Sequence, residues 1–161
     1  MNNSFVKNEY FSYEKLKEKA RREIRRLIEA EKKLEEENVM DYALNAAFSV
    51  YHLLQWRDKT SNPESNKTAH ELCKEAKNQG LIMLHGIVTC NKHMTVGDSL
   101  SDRTHLDVAV SANINHLVTE KGDFLVTEKG DYIVTEDSKV VVKFDDKKAV
   151  EVLNEAMKEF D

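Results

Sequence analysis

Hydrophobic positions fall into two regimes along this chain. From residue 12 to residue 93 the apolar residues recur at three- and four-residue spacing, the period of a helix that buries one side. After Met94 that period gives way to alternation and then to an eight-residue repeat. The first helix is predicted over about Ser12 to Glu37. Leu16, Ala20, Ile24, Leu27, Ile28 and Leu34 form its stripe, Ser12 its N-cap, and Glu14 sits in the first turn where the helix dipole favours an acid. Glu18–Arg22 and Glu29–Lys33 are i,i+4 pairs with the acid first, the supportive order. The second helix, about Val39 to Lys59, is apolar nearly all round and so predicts cover on most sides. Its polar residues Asp41, Asn45, Ser49, His52 and Gln55 step by four, four, three and three, which keeps them on one narrow face. Residues 57–67 read as a surface loop. Thr68 with Glu71 is a capping box that starts a further helix. Gly80 is read as a kink or C-cap, with helix resuming through Leu81–His93 on an inner face of Leu81, Leu84, Ile87 and Val88. Short connections between these helices imply antiparallel neighbours in a bundle.

The second regime begins with a connector at residues 96–103 and an alternating segment, His105 to Val110, that reads as a half-buried strand. LVTEKGDF (117–124), LVTEKGDY (125–132) and IVTEDSKV (133–140) then follow without a gap. Each unit offers strand-forming residues and a turn at Lys121-Gly122, Lys129-Gly130 or Asp137-Ser138, with a glycine bulge expected at some turns. Phe124, Val126, Tyr132 and Val134 fall on one face, Leu125, Thr127, Ile133 and Thr135 on the other. Eight residues is too short for a solenoid unit, so the repeat is read as a lengthened meander. Val150, Leu153, Met157 and Phe160 mark a closing helix. The expectation is therefore an α+β fold in one domain over residues 1–161: an antiparallel helical bundle (about 8–95), a small antiparallel β-meander (about 104–144) and a C-terminal helix (about 146–160).

At 161 residues such a chain needs neither disulfide nor metal to fold. Cys73 and Cys90 read as free thiols of a reducing compartment, and a cytoplasmic location is expected. No apolar run reaches the roughly 20 residues of a membrane span, and residues 1–10 lack a signal-peptide pattern. Charge changes the picture more. Residues 1–95 carry 16 Lys and Arg against 14 acids, and residues 96–161 carry 8 against 15. The second part is acidic, so any polyanion would bind the helical part. Within it, the cluster Arg21-Arg22-Arg25-Arg26 lies among Glu14, Glu18, Glu23 and Glu29 and reads as a salt-bridged face rather than a nucleic-acid patch.

Phosphate-loop, CxxC, HExxH and GxSxG motifs are absent. Candidate chemistry is confined to His52 on the polar line of the second helix, with Asn45 and Ser49, and to Asn91-Lys92-His93 at the end of a later helix. The polar line is either a solvent strip or a groove with His52 as acid, base or hydrogen-bond donor. Lys92 and His93 either answer the helix dipole or face His52. Cys90 with His93, His85 and His52 is a set of zinc-type donors without a zinc-finger spacing, and no metal or cofactor is expected.

Tyr51-His52-Leu53 with Trp56, followed by Asn91-Lys92-His93 after an apolar helix, resembles a group of uncharacterised bacterial HEPN-like helical-bundle proteins over about the central 60 residues. The resemblance implies a binding or interaction protein of a defence, toxin or mobile-element setting, or a metal-independent ribonuclease using His52 and His93. The chain departs from it in two ways. No Arg precedes a His by the four to six residues that HEPN ribonucleases use, and His85, Gly86 and Thr89 stand where an Arg-Asp pair and an Asn precede the Lys-His. A histidine base without that cation lacks stabilisation for a pentavalent phosphate. The expected function is thus non-catalytic binding of a protein or RNA by the helical part, with no membrane contact. Homo-oligomers are expected too, because repeated strands leave edges to be paired.

Overall fold

The computed structural model describes residues 12–93 and 108–161, with side chains described to residue 89 in the first stretch. The architecture is α+β. Helices α1 (Tyr13–Lys32), α2 (Glu36–Ser61), α3 (Ala69–Ala76) and α4 (Gln79–His93) are followed by strands β1 (Val108–Asn113), β2 (Lys139–Phe144) and β3 (Lys147–Lys148). Helix α5 (Ala149–Met157) and a 3-10 turn (Lys158–Phe160) end the chain. The connector at 96–103 and the first residues of the expected strand, 105–107, lie outside the described residues.

Ser12 caps α1 as expected, its hydroxyl accepting from the Lys15 N–H at 3.3 Å. Ala20, Ile24, Leu27 and Ala30 form the buried stripe. The helix stops before the predicted end because Leu34 adopts a left-handed backbone (φ 59°) and turns the chain directly into α2. The capping box before α3 is complete: the Glu71 N–H donates to Thr68 Oγ1 at 3.2 Å and the Thr68 N–H to Glu71 Oε2 at 2.7 Å. Lys77, again left-handed (φ 53°), ends α3, and the Asn78 carboxamide oxygen accepts from the Leu81 N–H at 3.1 Å to start α4.

Gly80 is therefore neither a kink nor a C-cap. It is the second residue of α4, and its role is contact with α5. A Cβ placed there would lie 2.5 Å from the Ala156 backbone nitrogen and 2.7 Å from the Val152 carbonyl oxygen. Only a residue without a side chain permits this approach.

The sheet is antiparallel in the order β1-β2-β3. Val140, Val142 and Phe144 of β2 point inward and join Leu27, Leu53, Leu54, Leu84, Ile87 and Leu153 in one apolar cluster. The Val142 N–H is taken by a side chain of α1, donating to Glu31 Oε1 at 2.9 Å, which docks helix to strand. The carboxyl end is pinned in the same way. Arg57 donates to the Glu159 carbonyl at 2.6 Å and stacks over the Phe160 ring at 5.2 Å, while Lys17 and Arg21 hold Asp161.

Residues 114–138 are an insertion at the open end of the β1–β2 hairpin, whose last pair is Asn113 with Lys139. Its hairpins are antiparallel, each with one bridge: Val118–Phe124, Val126–Tyr132 and His116–Val134. Their association is not legible in the repeat itself. Leu125 N–H donates to Leu117 O, Ile133 N–H to Leu125 O, and Leu117 N–H to Ile133 O, at 2.8–2.9 Å. Three hydrogen bonds thus close a cycle with approximate threefold symmetry. The expected two-residue turns are three-residue loops, Glu-Lys-Gly, with Gly122 and Gly130 at φ 90° and 89°. Each loop pairs Thr119 with Asp123, or Thr127 with Asp131, through a glycine bulge. The threonine hydroxyls accept from two N–H groups inside each loop. The third unit is split: Asn115-His116, from the start of the insertion, stands where Asp-Phe and Asp-Tyr stand in the other two, and the Asn115 carbonyl accepts from the Thr135 N–H. The rings of His116, Phe124 and Tyr132 meet edge to face at 5.1–5.4 Å around the axis.

Candidate functional site

The polar line of α2 faces outward: Asp41, Asn45, His52 and Gln55 are exposed and Ser49 is half-buried. The structural reason is that α1, α4 and the sheet take the other sides of the helix, burying Val39, Ala43, Ala46, Ala47, Val50, Leu53 and Leu54. Ser49 and His52 line a shallow depression of about 270 Å³ between α1 and α2, together with Leu16, Lys19, Phe48, Leu53 and Trp56. Phe48, His52 and Trp56 are spaced by four residues, so all three lie along one edge of the helix and line this depression. The Phe48 and His52 rings are 6.5 Å apart and nearly parallel (19°). Trp56 also walls a second depression of about 520 Å³ with Gln55, Lys59, Thr60 and Pro63. The following loop is held there by Lys59, which donates to the carbonyls of Pro63 and Ser65. Asn45 lies on the same outward face, beyond the depression. The side chains of Asn91, Lys92 and His93 lie outside the described residues, so of the proposed set the structure brings together Ser49 and His52. Among the described residues His52 makes ring contacts and no hydrogen bond.

The inner side of α2 carries an arrangement that sequence reasoning missed. The Tyr51 hydroxyl lies 2.7 Å from His85 Nδ1, and His85 Nε2 lies 3.2 Å from His70 Nδ1. Burial pushes the Tyr51 hydroxyl far above its ordinary range, with the nearby Cys73 adding to it, and burial pushes the Cys73 thiol up to about 11. Tyr51 therefore keeps its proton at neutral pH, and its hydroxyl, His85 and half-buried His70 form one hydrogen-bonded chain whose donor order is set by the His85 tautomer. These three residues sit on three helices, 34 and 15 positions apart, so no local spacing announces them. The available signal was chemical: a tyrosine among the apolar positions of α2, and a histidine among those of α4. His85 is turned to Tyr51 in the interior while His52 is exposed on the outer face, so these two histidines do not share a site.

The arginine cluster divides. Arg21 is engaged by Asp161 at 2.5 Å and Arg26 by Glu23 at 3.0 Å. Arg22 and Arg25 form no ion pair among the described residues. They flank a groove of about 650 Å³ between α1 and α5, floored by Ile24, Ile28 and Met157.

Among the described residues no helix is long and apolar enough to cross a membrane. No protein-family profile, curated protein or solved structure matches the chain.

Proposed function

We propose that this chain is a non-catalytic binding protein of HEPN-like type, and that it engages a protein partner through the outer edge of α2. The observation that carries this reading is the company His52 keeps. The depression around it offers aromatic and aliphatic surface, one cation and one hydroxyl. That set suits holding an apolar anchor group beside an acceptor, with Trp56, Phe48 and His52 as stacking surface and Lys19 as the charge.

Trp56 is the single tryptophan of the chain, so its emission reports on this surface without labelling. Titration with peptides that pair an aromatic or branched residue with a carboxylate is expected to shift Trp56 emission, and His52→Ala to weaken the response. The matching assay incubates purified protein with RNA in the presence of a metal chelator. Cutting that is abolished by His93→Ala in a folded variant would overturn the binding reading in favour of a ribonuclease.

A further inference from the structure

Two surfaces of this chain have reciprocal deficits, and neither is part of the α2 edge. The repeat insertion carries an apolar face on which Val118 (50% exposed), Phe124 (55%), Val126 (50%) and Tyr132 (58%) stand on one side, as their bridge pairing requires. The backbone bonds within the insertion run through Leu117, Thr119, Leu125, Thr127, Ile133 and Thr135, on either side of these residues. The two rings alone present on the order of 200 Å². With the valines the patch reaches the size at which exposed apolar surface marks a contact site. Around it stand Glu120, Asp123, Glu128 and Asp131 with Lys121 and Lys129 between them, four acids against two lysines and none in an ion pair among the described residues, so the rim is net negative. The groove between α1 and α5 is the counterpart: its floor is apolar, Ile24, Ile28 and Met157, and its charged lining is Arg22 and Arg25, which form no ion pair among the described residues, with Glu18 and the Arg21–Asp161 pair, so that three arginines against two acids leave it net positive. Its volume of about 650 Å³ is in the range that accepts bulky apolar groups.

We propose that the acid-rimmed apolar face of the insertion seats in the Arg22–Arg25 groove of a second copy of the chain. Charge decides the pairing. Insertion against insertion sets acids on acids, and groove against groove sets arginines on arginines, whereas insertion into groove is complementary. The contact is heterologous. Each copy keeps one free insertion and one free groove, so association runs head to tail into rings or chains instead of stopping at a symmetric dimer. The patch is small against a standard interface, so the contact is weak.

Sedimentation velocity on the purified full chain tests this, in about 20 mM and about 500 mM salt. The average mass is expected to rise with concentration in low salt and to fall back in high salt. Two variants separate the surfaces: Phe124→Ser with Tyr132→Ser, and Arg22→Glu with Arg25→Glu. Each alone remains monomeric, at least about tenfold weaker in self-association. Mixed together, they form a one-to-one dimer that grows no further, because one retains its groove and the other its insertion. Should the serine substitutions disturb the hairpins, Glu120→Lys with Glu128→Lys serves instead. That variant fails to enter the native groove and enters the Arg22→Glu, Arg25→Glu groove. A wild-type chain that is monomeric throughout, or an Arg22→Glu, Arg25→Glu variant that assembles alone as well as wild type, would overturn the proposal.

Discussion

Gly80→Ala sets two physical effects against each other with opposite signs. Helix propensity alone favours alanine over glycine by up to about 1 kcal/mol in a helix interior. Packing says the reverse. The new methyl would meet the Ala156 nitrogen at 2.5 Å, the Val152 oxygen at 2.7 Å and the Ala156 Cα at 3.0 Å, all backbone atoms of α5 that no rotamer change can move. Ordinary carbon contacts lie near 3.5–4.0 Å, so α4 and α5 must part by about 1 Å. That movement loosens Leu81 and Leu84 against Val152 and Leu153, and lengthens the 3.0 Å bond from the Asn78 carboxamide to the Glu155 carbonyl. Overpacking of this kind costs about 1–3 kcal/mol and more where backbone must shift. With the lost helix contacts added, the net loss is expected at about 2–4 kcal/mol, a fall in Tm of about 5–15 °C for a chain of this size. Urea denaturation is the direct assay: the midpoint falls and the slope is unchanged, as for a native-state defect. A second variant sharpens it. Ala156→Gly should not rescue Gly80→Ala, because the obstruction is backbone rather than the Ala156 methyl. An alanine variant as stable as wild type, or more stable, would refute the close-contact account of Gly80 and leave propensity as the governing effect.

Replacing residues 114–138 with Asn-Gly should leave the helical circular dichroism intact and Tm within a few degrees, since none of these residues is fully buried and the Asn113–Lys139 pair already brings the ends together. Glu31 is raised above its ordinary carboxylate value by burial, partly offset by the Val142 N–H and by Lys148. A raised folded value means a contribution present below the unfolded value and lost as pH rises through the folded one. Glu31→Gln keeps an acceptor for Val142, so urea midpoints should show the variant gaining on wild type as pH rises from about 4 toward 7. Tyr51→Phe removes the hydrogen bond to His85 Nδ1 and should cost about 1–2 kcal/mol in the same assay, with the fold unchanged. The Cys73 thiol, buried and pushed up to about 11, should react with a thiol reagent in a Cys90→Ser background only as fast as the chain opens, and at once in urea.

What was legible in the chain was what neighbours in sequence decide. Ser12 and the Thr68–Glu71 box announced helix starts because a cap acts within three residues. The α1 stripe announced a buried side because 3.6-residue periodicity is a local property. The α+β division and the antiparallel hairpins followed from the change of period after Met94. Gly80 was misjudged because its reason lies 76 positions away, at Ala156. The Tyr51–His85–His70 chain was invisible for the same cause, since three helices must pack before those atoms meet. The α2 polar line was legible as a line, but whether it faced water depended on which sides α1, α4 and the sheet would take. His52 with Ser49 was brought to one depression, and the shared edge of Phe48, His52 and Trp56 could have been read from its spacing of four.

The closed cycle of Leu117, Leu125 and Ile133 bears on how this segment tolerates gain and loss of whole units. In a solenoid each unit touches only its two neighbours, so copies can be added without altering the rest. Here every unit donates to one partner and accepts from the other, and the last position is filled by Asn115-His116 from the opposite end of the insertion. A fourth LVTEKGDF copy would find no open donor or acceptor in the cycle, and removal of one copy would leave a donor and an acceptor facing across a gap. Copy number in this stretch is thus set by ring closure, and change is expected by substitution within units before change in their number.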